Sequence, residues 1–510
     1  NGLYETQYEA GDLESLGLVK FDFLGIKNLT TIDNVIREIN KKEEFKASPF
    51  TIKDINYNDP KVFKLIASGD TSGIFQLESD GMTQTLMRLK TSCFEDIIAS
   101  LALYRPGPMD MIPSFINRKL GKESVTYPHP SLEPVLKSTY GIILYQEQII
   151  LVAQKFAGYS LGEADILRRA VSKKKESLLV EERKNFVSRA IKNGRSESDA
   201  NKIYDYIVKF ANYGFNRSHA VVYSVVAYQM AYLKTYFYKE FMSEMMSNSL
   251  GKNQSLKYYI NSCERKNIHV FLPNVNKSTD GFNLLDDGIY YSLLGIKEIG
   301  KVSYDNFASE REKNGEYTTY DEFIRRTKQI FSKSVIINLI NAGALDLFKV
   351  PRKQMVLEYD NSLKLSEFGG FIKDKLVERE FGDEEYSFEE ISQKERDALG
   401  FNLKFDVFKR FEPLKKKYNV TDIANLKEGK NAVLLFTLTR VKEIDTKKNE
   451  KMAFLELSDE SGEISGVVFP MKYKEYSGIL KYGKVYLASG KVDLRNDEIQ
   501  FVVENLKLLN

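Results

Sequence analysis

The pattern of apolar and polar positions divides the chain into three kinds of segment. Residues 19–24 alternate as a β-strand does, and residues 28–40 switch to the apolar spacing of a helix. Helical patterns then dominate as far as Cys263, interrupted by proline-rich turns. From Asn431 onward, short alternating runs recur with turns between them, which is typical of a small all-β barrel. The patterns therefore predict one strand, a large helical domain and a separate barrel.

The stretch between the helical domain and the barrel contains two glycine-centred turns. A strand is expected at residues 289–294, and the turn at 295–300 (GIKEIG) precedes a helix. A second turn, at 341–344 (NAGA), follows another helix. The repeated arrangement predicts a paired unit over residues 268–348. Residues 349–430 are charged and weakly periodic, so we interpret them as a connecting region of uncertain order.

Length and composition limit the kind of protein. At 510 residues the chain is expected to form three or four domains, because single domains usually contain roughly 100–200 residues. Its 74 basic and 71 acidic residues nearly cancel, so only local clusters can indicate a partner. Two cysteines far apart suit the reducing cytoplasm, where we expect the protein. The cysteines and histidines lack zinc-ligand spacing, and no apolar run predicts a membrane span.

The strand predicted at residues 19–24 contains the first candidate site. Side chains two positions apart share a strand face, so Phe21 and Phe23 are expected to face the core. Lys20 and Asp22 then lie on the opposite face. A carboxylate in a cleft can bind Mg²⁺, and a neighbouring lysine can contact phosphate oxygens. The alternative is an ordinary surface ion pair, which the spacing taken alone favours.

A helix predicted over residues 162–175 contains the second candidate site. Five cations fall within eight positions, and they are Arg168, Arg169, Lys173, Lys174 and Lys175. Like charges this dense repel one another and are relieved by a polyanion, and the arginine fork suits a triphosphate. The alternative is a solvated face on which Asp165 pairs with Arg169. The sequence pattern leaves both interpretations open.

The third candidate is the beginning of a long apolar helix at residues 213–219 (YGFNRSH). Asn216 or Ser218 can cap this helix, and the N–H groups of its first turn would form an anion site beside Arg217 and His219. The apolar circumference of the helix predicts that it is buried. By default, its later tyrosines are core residues and His219 is a packing histidine.

Two later segments suit the backbone or the bases of a nucleic acid. The 295–300 turn and the helix after it would present backbone N–H groups and Lys297 to a phosphate, unless the turn is simply a helix corner. In the predicted barrel, Phe454 and Phe469 lie among lysines and could stack on single-stranded bases. More often, phenylalanines in such strands are core residues.

The order of these segments resembles that of the bacterial C-family replicative DNA polymerases, the polymerase III alpha subunits of the shorter, Gram-positive type. Residues 18–25 (LVKFDFLG) look like the last strand of the family's palm. Residues 71–79 (TSGIFQLES) and 102–109 (ALYRPGPM) look like its fingers. Further matches follow in register at 144–148 (LYQEQ), 167–175 (LRRAVSKKK) and 214–220 (GFNRSHA). The resemblance covers nearly all of residues 12–350 and, more loosely, the barrel.

The resemblance implies a multidomain, mainly α fold. It assigns residues 1–27 to the end of a polymerase β-like palm and 28–267 to helical fingers. Residues 268–348 become a tandem helix–hairpin–helix module, 349–430 the connecting region and 431–510 an OB domain. The implied activity is DNA-templated DNA synthesis, in which a nucleotidyl group passes from a dNTP to the primer 3′-hydroxyl and pyrophosphate leaves, with two Mg²⁺ ions in the complete active site.

The resemblance also assigns roles to individual residues. Asp22 matches a metal-binding catalytic aspartate, and Lys20 the lysine next to it. The nucleotide-binding positions that it implies are Arg105, Arg168, Arg169, Lys173, Ser218 and His219. The DNA-binding positions that it implies are Gly295, Lys297, Gly300 and Lys301.

Several departures from the family pattern matter. The Pro-Asp-x-Asp-x-Asp-Phe type motif with two further aspartates is not found, nor are the thumb and the PHP domain. We therefore expect a fragment of a longer chain that does not polymerise alone. The nearest candidate for a clamp-binding peptide, with Leu365 and Phe368, lacks the usual glutamine.

The implied partners are primer–template DNA, dNTP, a sliding clamp, single-stranded template at the OB domain and other replisome subunits, with no membrane. The competing hypothesis is a non-catalytic DNA-binding or scaffold protein. Such a protein would not need Lys20, Asp22 or the pair Arg168 and Arg169. These residues therefore discriminate between the two hypotheses.

Overall fold

The computed structural model describes residues 4–22, 25–172, 176–211, 214–368, 380–405, 407–446, 449–459, 461–495 and 498–509. The chain forms two compact units, Asn1–Phe241 and Met242–Asn510. Within the described residues, no helix is long and apolar enough to cross a membrane.

The first unit is helical throughout its described part. Its α-helices are α1 Ala10–Ser15, α2 Lys27–Ile39, α3 Glu43–Lys46, α4 Pro60–Ala67, α5 Asp80–Leu89, α6 Phe94–Leu103, α7 Ile112–Lys119, α8 Glu133–Leu136, α9 Gln146–Ala157, α10 Leu161–Ser172, α11 Glu176–Lys192, α12 Glu197–Ala211 and α13 Arg217–Tyr236. Helix α14, Tyr238–Ser247, crosses the boundary between the units. Short 3₁₀ turns lie at Ile52–Asp54, Pro108–Met111, Pro130–Leu132 and Lys137–Thr139.

The core of the first unit has two centres. Helix α9 packs against α10, α11 and α12, and the cluster contains the fully buried aromatic residues Phe115, Phe156, Phe186 and Tyr204. Helix α13 packs against α2, α4 and α6. Its Tyr228 is fully buried, and the hydroxyl donates to the carbonyl of Asn56 at 2.9 Å. The predicted helical domain is confirmed, as is the burial of α13, because most of its circumference is apolar.

The strand predicted at residues 19–24 is wrong for the residues described there. Residues 18–22 have no regular secondary structure, and Phe21, expected in the core, is 74% exposed. A strand needs a neighbouring strand to satisfy its backbone groups, and the described part of the first unit contains no β-strand. Local alternation of apolar residues carries no information about such a neighbour. Phe23 and Leu24 lie outside the described residues.

A buried ion pair fixes the beginning of α6. Asp96 is 3% exposed, and its carboxylate accepts hydrogen bonds from the N–H groups of Ser92 at 2.8 Å and Cys93 at 3.2 Å. The ammonium group of Lys119 on α7 lies 2.5 Å from the same carboxylate and also donates to the carbonyl of Leu89 at 3.1 Å. Removing one partner of such a pair leaves an uncompensated charge in the core.

The second unit combines helices with two sheets. Its α-helices are α15 Asn253–Glu264, α16 Lys301–Asn314, α17 Tyr320–Thr327, α18 Lys333–Asn341, α19 Arg352–Phe368, α20 Phe388–Leu399, α21 Glu412–Tyr418 and α22 Pro470–Tyr476. Its strands are β1 Val270–Phe271, β2 Asn283–Leu285, β3 Gly288–Tyr290, β4 Asn431–Asp445, β5 Lys451–Ser458, β6 Glu463–Val468, β7 Val485–Arg495 and β8 Glu498–Leu509. Its 3₁₀ turns are Leu293–Gly295, Asp346–Phe348, Lys409–Phe411, Ile423–Asn425 and Ser477–Ile479.

The last five strands form the predicted barrel. It is closed in the order β4-β5-β6-β8-β7, with β6 and β8 parallel and the other neighbours antiparallel. Alternate positions point inward, and the core contains Phe436, Tyr486 and Phe501, each fully buried. Closure removes the exposed strand edges that a small open sheet would have. The all-β barrel expected from the alternating pattern is confirmed.

The strand expected at residues 289–294 is shorter than predicted. Strand β3 ends at Tyr290, within a small sheet of order β1-β3-β2. The hydroxyl of Ser292 accepts a hydrogen bond from the N–H of Leu294 at 3.0 Å, which starts the 3₁₀ turn Leu293–Gly295. A local side-chain cap therefore ends the strand where the apolar pattern would continue it.

The connecting region at residues 349–430 is more ordered than its composition indicates. Its described part contains α19, α20 and α21. An acidic run lies at residues 383–385 (DEE). Its Glu385 carboxylate accepts hydrogen bonds from the N–H groups of Arg352 at 2.7 Å and Lys353 at 3.0 Å, and so caps the first turn of α19. Arg396 of α20 donates to the hydroxyl of Ser458 on β5 at 3.0 Å. One residue of the acidic run, Glu385, therefore caps a helix, while the run itself is exposed.

Replacing Lys119 with methionine should lower the free energy of unfolding by about 3 kcal/mol, because Asp96 would keep a buried charge without its cation. Urea denaturation of the 510-residue chain measures the loss. The matched control is Lys122→Met, since Lys122 is exposed and should change the free energy by less than about 0.5 kcal/mol. Equal effects of the two substitutions would contradict the role given to the buried pair.

Candidate functional site

The beginnings of α9 and α13 are joined by a short parallel bridge. The N–H of Phe215 donates to the carbonyl of Leu144 at 3.0 Å, and the N–H of Gln146 donates to the carbonyl of Phe215 at 2.9 Å. The carboxylate of Glu147 accepts the N–H of Arg217 at 3.0 Å. These contacts bring two helix N-termini to the same place, where helix dipoles favour an anion.

Asn216, one of the two residues predicted to cap α13, is the residue that caps it. Its side-chain oxygen accepts the N–H of His219 at 2.8 Å. Ser218 lies exposed in the first turn of the helix. His219 is also exposed, although its ring packs against Phe215 and Tyr223, as the default expectation of a packing histidine has it.

A row of rings and one cation follows the same surface. The Arg105 guanidinium lies 4.1 Å from the ring centre of Phe215. The centre of the His219 ring lies 5.4 Å from the same point, and the two rings are nearly perpendicular. His219 lies 4.2 Å from Tyr223, which in turn lies 5.2 Å from Phe75. Burial lowers the pKa of Arg105, although an arginine keeps its charge near neutral pH. The row offers flat apolar faces beside a positive charge.

Helix α10 carries the two predicted arginines. Arg168 donates from Nε to the Asp165 carboxylate at 2.9 Å and from a terminal nitrogen to the side-chain oxygen of Gln146 at 3.1 Å. Arg169 lies 2.7 Å from the other carboxylate oxygen of Asp165, and its side chain is 67% exposed. The hydrogen bond from Arg168 is the main favourable interaction that holds the pKa of Asp165 below its ordinary value. The predicted Lys173 lies outside the described residues.

The structure therefore brings together several of the predicted nucleotide-binding residues. Arg168 is joined through Gln146 to the bridge, and the bridge residue Phe215 contacts both Arg105 and His219. Gln146 and Phe215 were not among the nucleotide-binding residues predicted from the sequence. Both lie inside the matched runs 144–148 and 214–220, but their pairing joins segments about 70 residues apart and has no local signal.

Lys20 and Asp22 form the surface ion pair that was the alternative interpretation. Their charged groups lie 3.4 Å apart, with side chains 61% and 66% exposed. Among the described residues, no group of three or more histidine, cysteine, aspartate or glutamate side chains could hold a metal ion. A single exposed carboxylate does not fit a Mg²⁺ site, which needs several oxygen ligands in near-octahedral geometry. The described residues thus supply no metal centre.

The two glycine-centred turns of the second unit differ in structure. A Cβ on Gly295 would lie 2.5 Å from the ring of Tyr291, so this glycine is required for packing. The N–H of Lys297 donates to the carbonyl of Ala398 on α20 at 2.9 Å, so this backbone group is already paired within the protein. A phosphate contact by the Lys297 side chain stays a prediction. In the second turn, Gly343 has a φ of +81°, and a Cβ there would collide with the guanidinium of Arg352.

The beginning of α16 is the open part of the first turn. Gly300 precedes the helix without a side-chain cap, is exposed, and has no atom within 4 Å of a built Cβ. Lys301 lies 2.9 Å from Asp280 and 2.9 Å from Asp305, and the hydrogen bond that it donates to Asp280 is the main cause that raises its pKa. The side chain of Lys297 is exposed beside them. This helix start is accessible to an anion.

Of the two phenylalanines expected on a strand face of the barrel, only Phe454 lies on a strand, since Phe469 follows β6 and precedes α22. Phe454 is half-buried on β5, opposite Lys442 on β4 and Val467 on β6. Phe469 is 49% exposed at the beginning of α22. Neither ring belongs to the barrel core cluster, so the default expectation of core phenylalanines is wrong.

Comparison with protein families gives three matches along the chain. The bacterial DNA polymerase III alpha subunit finger domain matches residues 28–194. A helix-hairpin-helix motif matches residues 267–355, and an OB-fold nucleic acid binding domain matches residues 438–509. Finger, helix-hairpin-helix and OB-fold regions on one chain define the multidomain DNA polymerase class.

The curated relatives make the family specific. The DNA polymerase III subunit alpha of Bacillus subtilis (strain 168) is 40% identical over 100% of this chain and 46% of that protein. Those of Staphylococcus epidermidis (strain ATCC 12228) and Staphylococcus aureus (strain MRSA252) are 39% and 38% identical over 98% and 99% of this chain, and 47% of each protein. The chain belongs to the family of bacterial DNA polymerase III alpha subunits and spans about half the length of these relatives.

Two solved structures each match a small part of the chain. The second OB-fold domain of replication protein A from Methanococcus maripaludis is 20% identical and covers 18% of this chain and 94% of that one, with a TM-score of 0.16. A replication factor A related protein from Methanobacterium thermoautotrophicum is 16% identical and covers 18% and 91%, with a TM-score of 0.16.

Replacing Glu147 with alanine should lower the free energy of unfolding by about 1–2 kcal/mol, because the N–H of Arg217 would lose its charged acceptor. Amide hydrogen exchange at residues 217–220 should accelerate, which locates the effect at the beginning of α13. The control is Glu181→Ala, since Glu181 is exposed on α11. If both substitutions left amide exchange at the start of α13 unchanged, Glu147 would not be the group that holds the N–H of Arg217.

Proposed function

We propose that this chain provides the nucleotide-binding fingers and the DNA-holding modules for DNA-templated DNA synthesis. The observation that carries the proposal is the short parallel bridge that Phe215 forms with Leu144 and Gln146. It joins the α10 arginine Arg168, through Gln146, to a row containing Arg105 and His219. Cations beside flat rings match the two ends of a nucleoside triphosphate, which carries anionic oxygens at one end and a base at the other.

The arginines bind the triphosphate in this proposal. Their planar forks can each donate two hydrogen bonds to phosphate oxygens, and their charge offsets the negative charge of the departing pyrophosphate. The N-termini of α9 and α13 add backbone dipoles of the same sign. Rings of the Phe215 row provide an apolar face for the base or the sugar. Ser218, exposed in the first turn of α13, offers a hydroxyl to the same ligand.

We assign Lys20 and Asp22 to the same reaction on the resemblance of residues 18–25 alone. Both side chains are accessible to a substrate, since more than half of each is exposed. Among the described residues, no group of three or more possible metal ligands accompanies this pair. The competing hypothesis of a non-catalytic DNA-binding protein is favoured by this exposed ion pair and is tested by triphosphate binding.

We further propose that the second unit holds DNA. The open start of α16, with Gly300, Lys301 and Lys297, suits the backbone of a duplex, and phosphate contacts of this kind carry no sequence information. On the barrel, Phe454 between Lys442 and Val467 suits a single-stranded base. A clamp contact at Leu365 stays a prediction. That residue is 50% exposed on α19, whereas the side chain of Phe368 lies outside the described residues.

Replacing both Arg168 and Arg169 with alanine should weaken binding of a dNTP by about 10- to 100-fold, because two charged forks would be lost. Isothermal titration of the 510-residue chain with dATP measures the change. The matched control is Arg183→Ala, because Arg183 on α11 pairs with Asp205 and lies outside the candidate surface. Equal affinity of the double variant and the original chain would remove the fingers assignment and favour the non-catalytic hypothesis.

DNA binding should weaken steeply with salt and show little sequence preference, with a slope of log affinity against log salt of about −0.9 for each phosphate contacted. The variant Lys297→Ala should make this slope shallower by about 0.9. Lys313→Ala is the control, since Lys313 is exposed at the other end of α16. Fluorescence anisotropy between 50 and 200 mM salt, roughly the range in which such contacts show, provides the measurement. A flat affinity over that range would contradict the proposal.

A further inference from the structure

One carboxylate holds both of the arginines that are assigned to the triphosphate. Arg168 donates to one oxygen of Asp165 at 2.9 Å, and Arg169 lies 2.7 Å from the other oxygen. Asp165 is the neighbour of both on α10, at i,i+3 and i,i+4 spacing. Its side chain is 28% exposed, so solvent and solutes reach the ion pairs.

The two ion pairs differ in exposure. The side chains of Arg168 and Asp165 are both half-buried, at 21% and 28% exposed. Arg169 remains 67% exposed although its guanidinium is paired, and an exposed pair at this spacing stabilises a helix weakly. Because all three side chains keep some contact with solvent, another anion can reach these contacts and exchange for them.

We infer that Asp165 occupies the place of the phosphate and competes with the nucleoside triphosphate for Arg168 and Arg169. The inference rests on the proposed function of this surface. In the ligand-free protein, the carboxylate offsets the repulsion between the two guanidinium groups. When a triphosphate binds, its oxygens take over the guanidinium hydrogen bonds, and Asp165 is released to solvent.

The cost of the competition depends on how many of the ion pairs a ligand displaces. A triphosphate can reach both guanidinium groups, so it displaces both pairs and compensates for both. Inorganic phosphate is a smaller anion, and it displaces fewer of these contacts. Arg168 keeps its second hydrogen bond to Gln146 during the exchange, so its position does not depend on the carboxylate alone. Asp165 therefore lowers the affinity for each anion that displaces it, and it lowers the affinity for the triphosphate most.

The variant Asp165→Asn tests this inference, because it keeps the shape of the side chain and removes its charge. We expect dATP to bind about threefold to tenfold more tightly. Inorganic phosphate should gain less than dATP does, so the ratio of the dATP affinity to the phosphate affinity should rise. A residue that only stabilised α10 would change neither affinity nor their ratio.

The matched control is Glu163→Gln on the same helix. Glu163 pairs with Arg189 and accepts the N–H of Ser160 at 2.9 Å, so its loss perturbs α10 without touching Arg168 or Arg169. Anion affinities of this variant should equal those of the original chain. Weaker or unchanged dATP binding by Asp165→Asn would overturn the inference, since the carboxylate would then position the arginines or be neutral toward the ligand.

The arginine variants separate this inference from the proposed function. If Arg168→Ala with Arg169→Ala weakens dATP binding while Asp165→Asn does not strengthen it, only the competition is refuted. If the arginine substitutions leave dATP binding unchanged, the proposed function fails and the inference fails with it. Tighter binding by Asp165→Asn together with weaker binding by the arginine variants supports both.

Discussion

Two backbone hydrogen bonds between Phe215 and the segment before α9 are the constraint on which the candidate nucleotide surface depends. They join Phe215 to the carbonyl of Leu144 and to the N–H of Gln146. Because donors and acceptors are main-chain groups, backbone geometry sets the register of the two helices. The side chains then follow, since Gln146 contacts Arg168 and the ring of Phe215 lies under Arg105. Residues distant in sequence form one surface through this junction.

Ion pairs of similar length have opposite consequences in this unit because their burial differs. The pair of Asp96 and Lys119 is almost inaccessible and is enclosed by backbone groups, so neither charge can leave without a large cost. The pairs of Asp165 are reached by solvent, which weakens them and lets another anion compete. The first kind of pair fixes the fold, whereas the second kind can take part in binding.

The sequence was informative where structure depends on local pattern. The helical unit, the barrel and the cap at Asn216 follow from periodicity and from residues within one turn of each other. The strand expected at residues 19–24 failed because a strand depends on a partner that local alternation does not report. The pairing of Gln146 with Phe215 escaped residue-level analysis for the same reason. The runs of residues that resemble the polymerase family indicated the region of the candidate nucleotide surface, whereas no single residue did so.

Glycine turns show most clearly why a sequence signal needs its structural cause. Gly295 is required by packing on Tyr291, and Gly343 by its positive φ. Gly300 is explained by neither, since its φ is −93° and the space around it is open. Gly300 is the N-cap of α16, where glycine is among the preferred residues, and the open space beside it also admits another backbone. Lys301, tied beside it to two carboxylates, would exchange those contacts for phosphate oxygens just as the α10 arginines would.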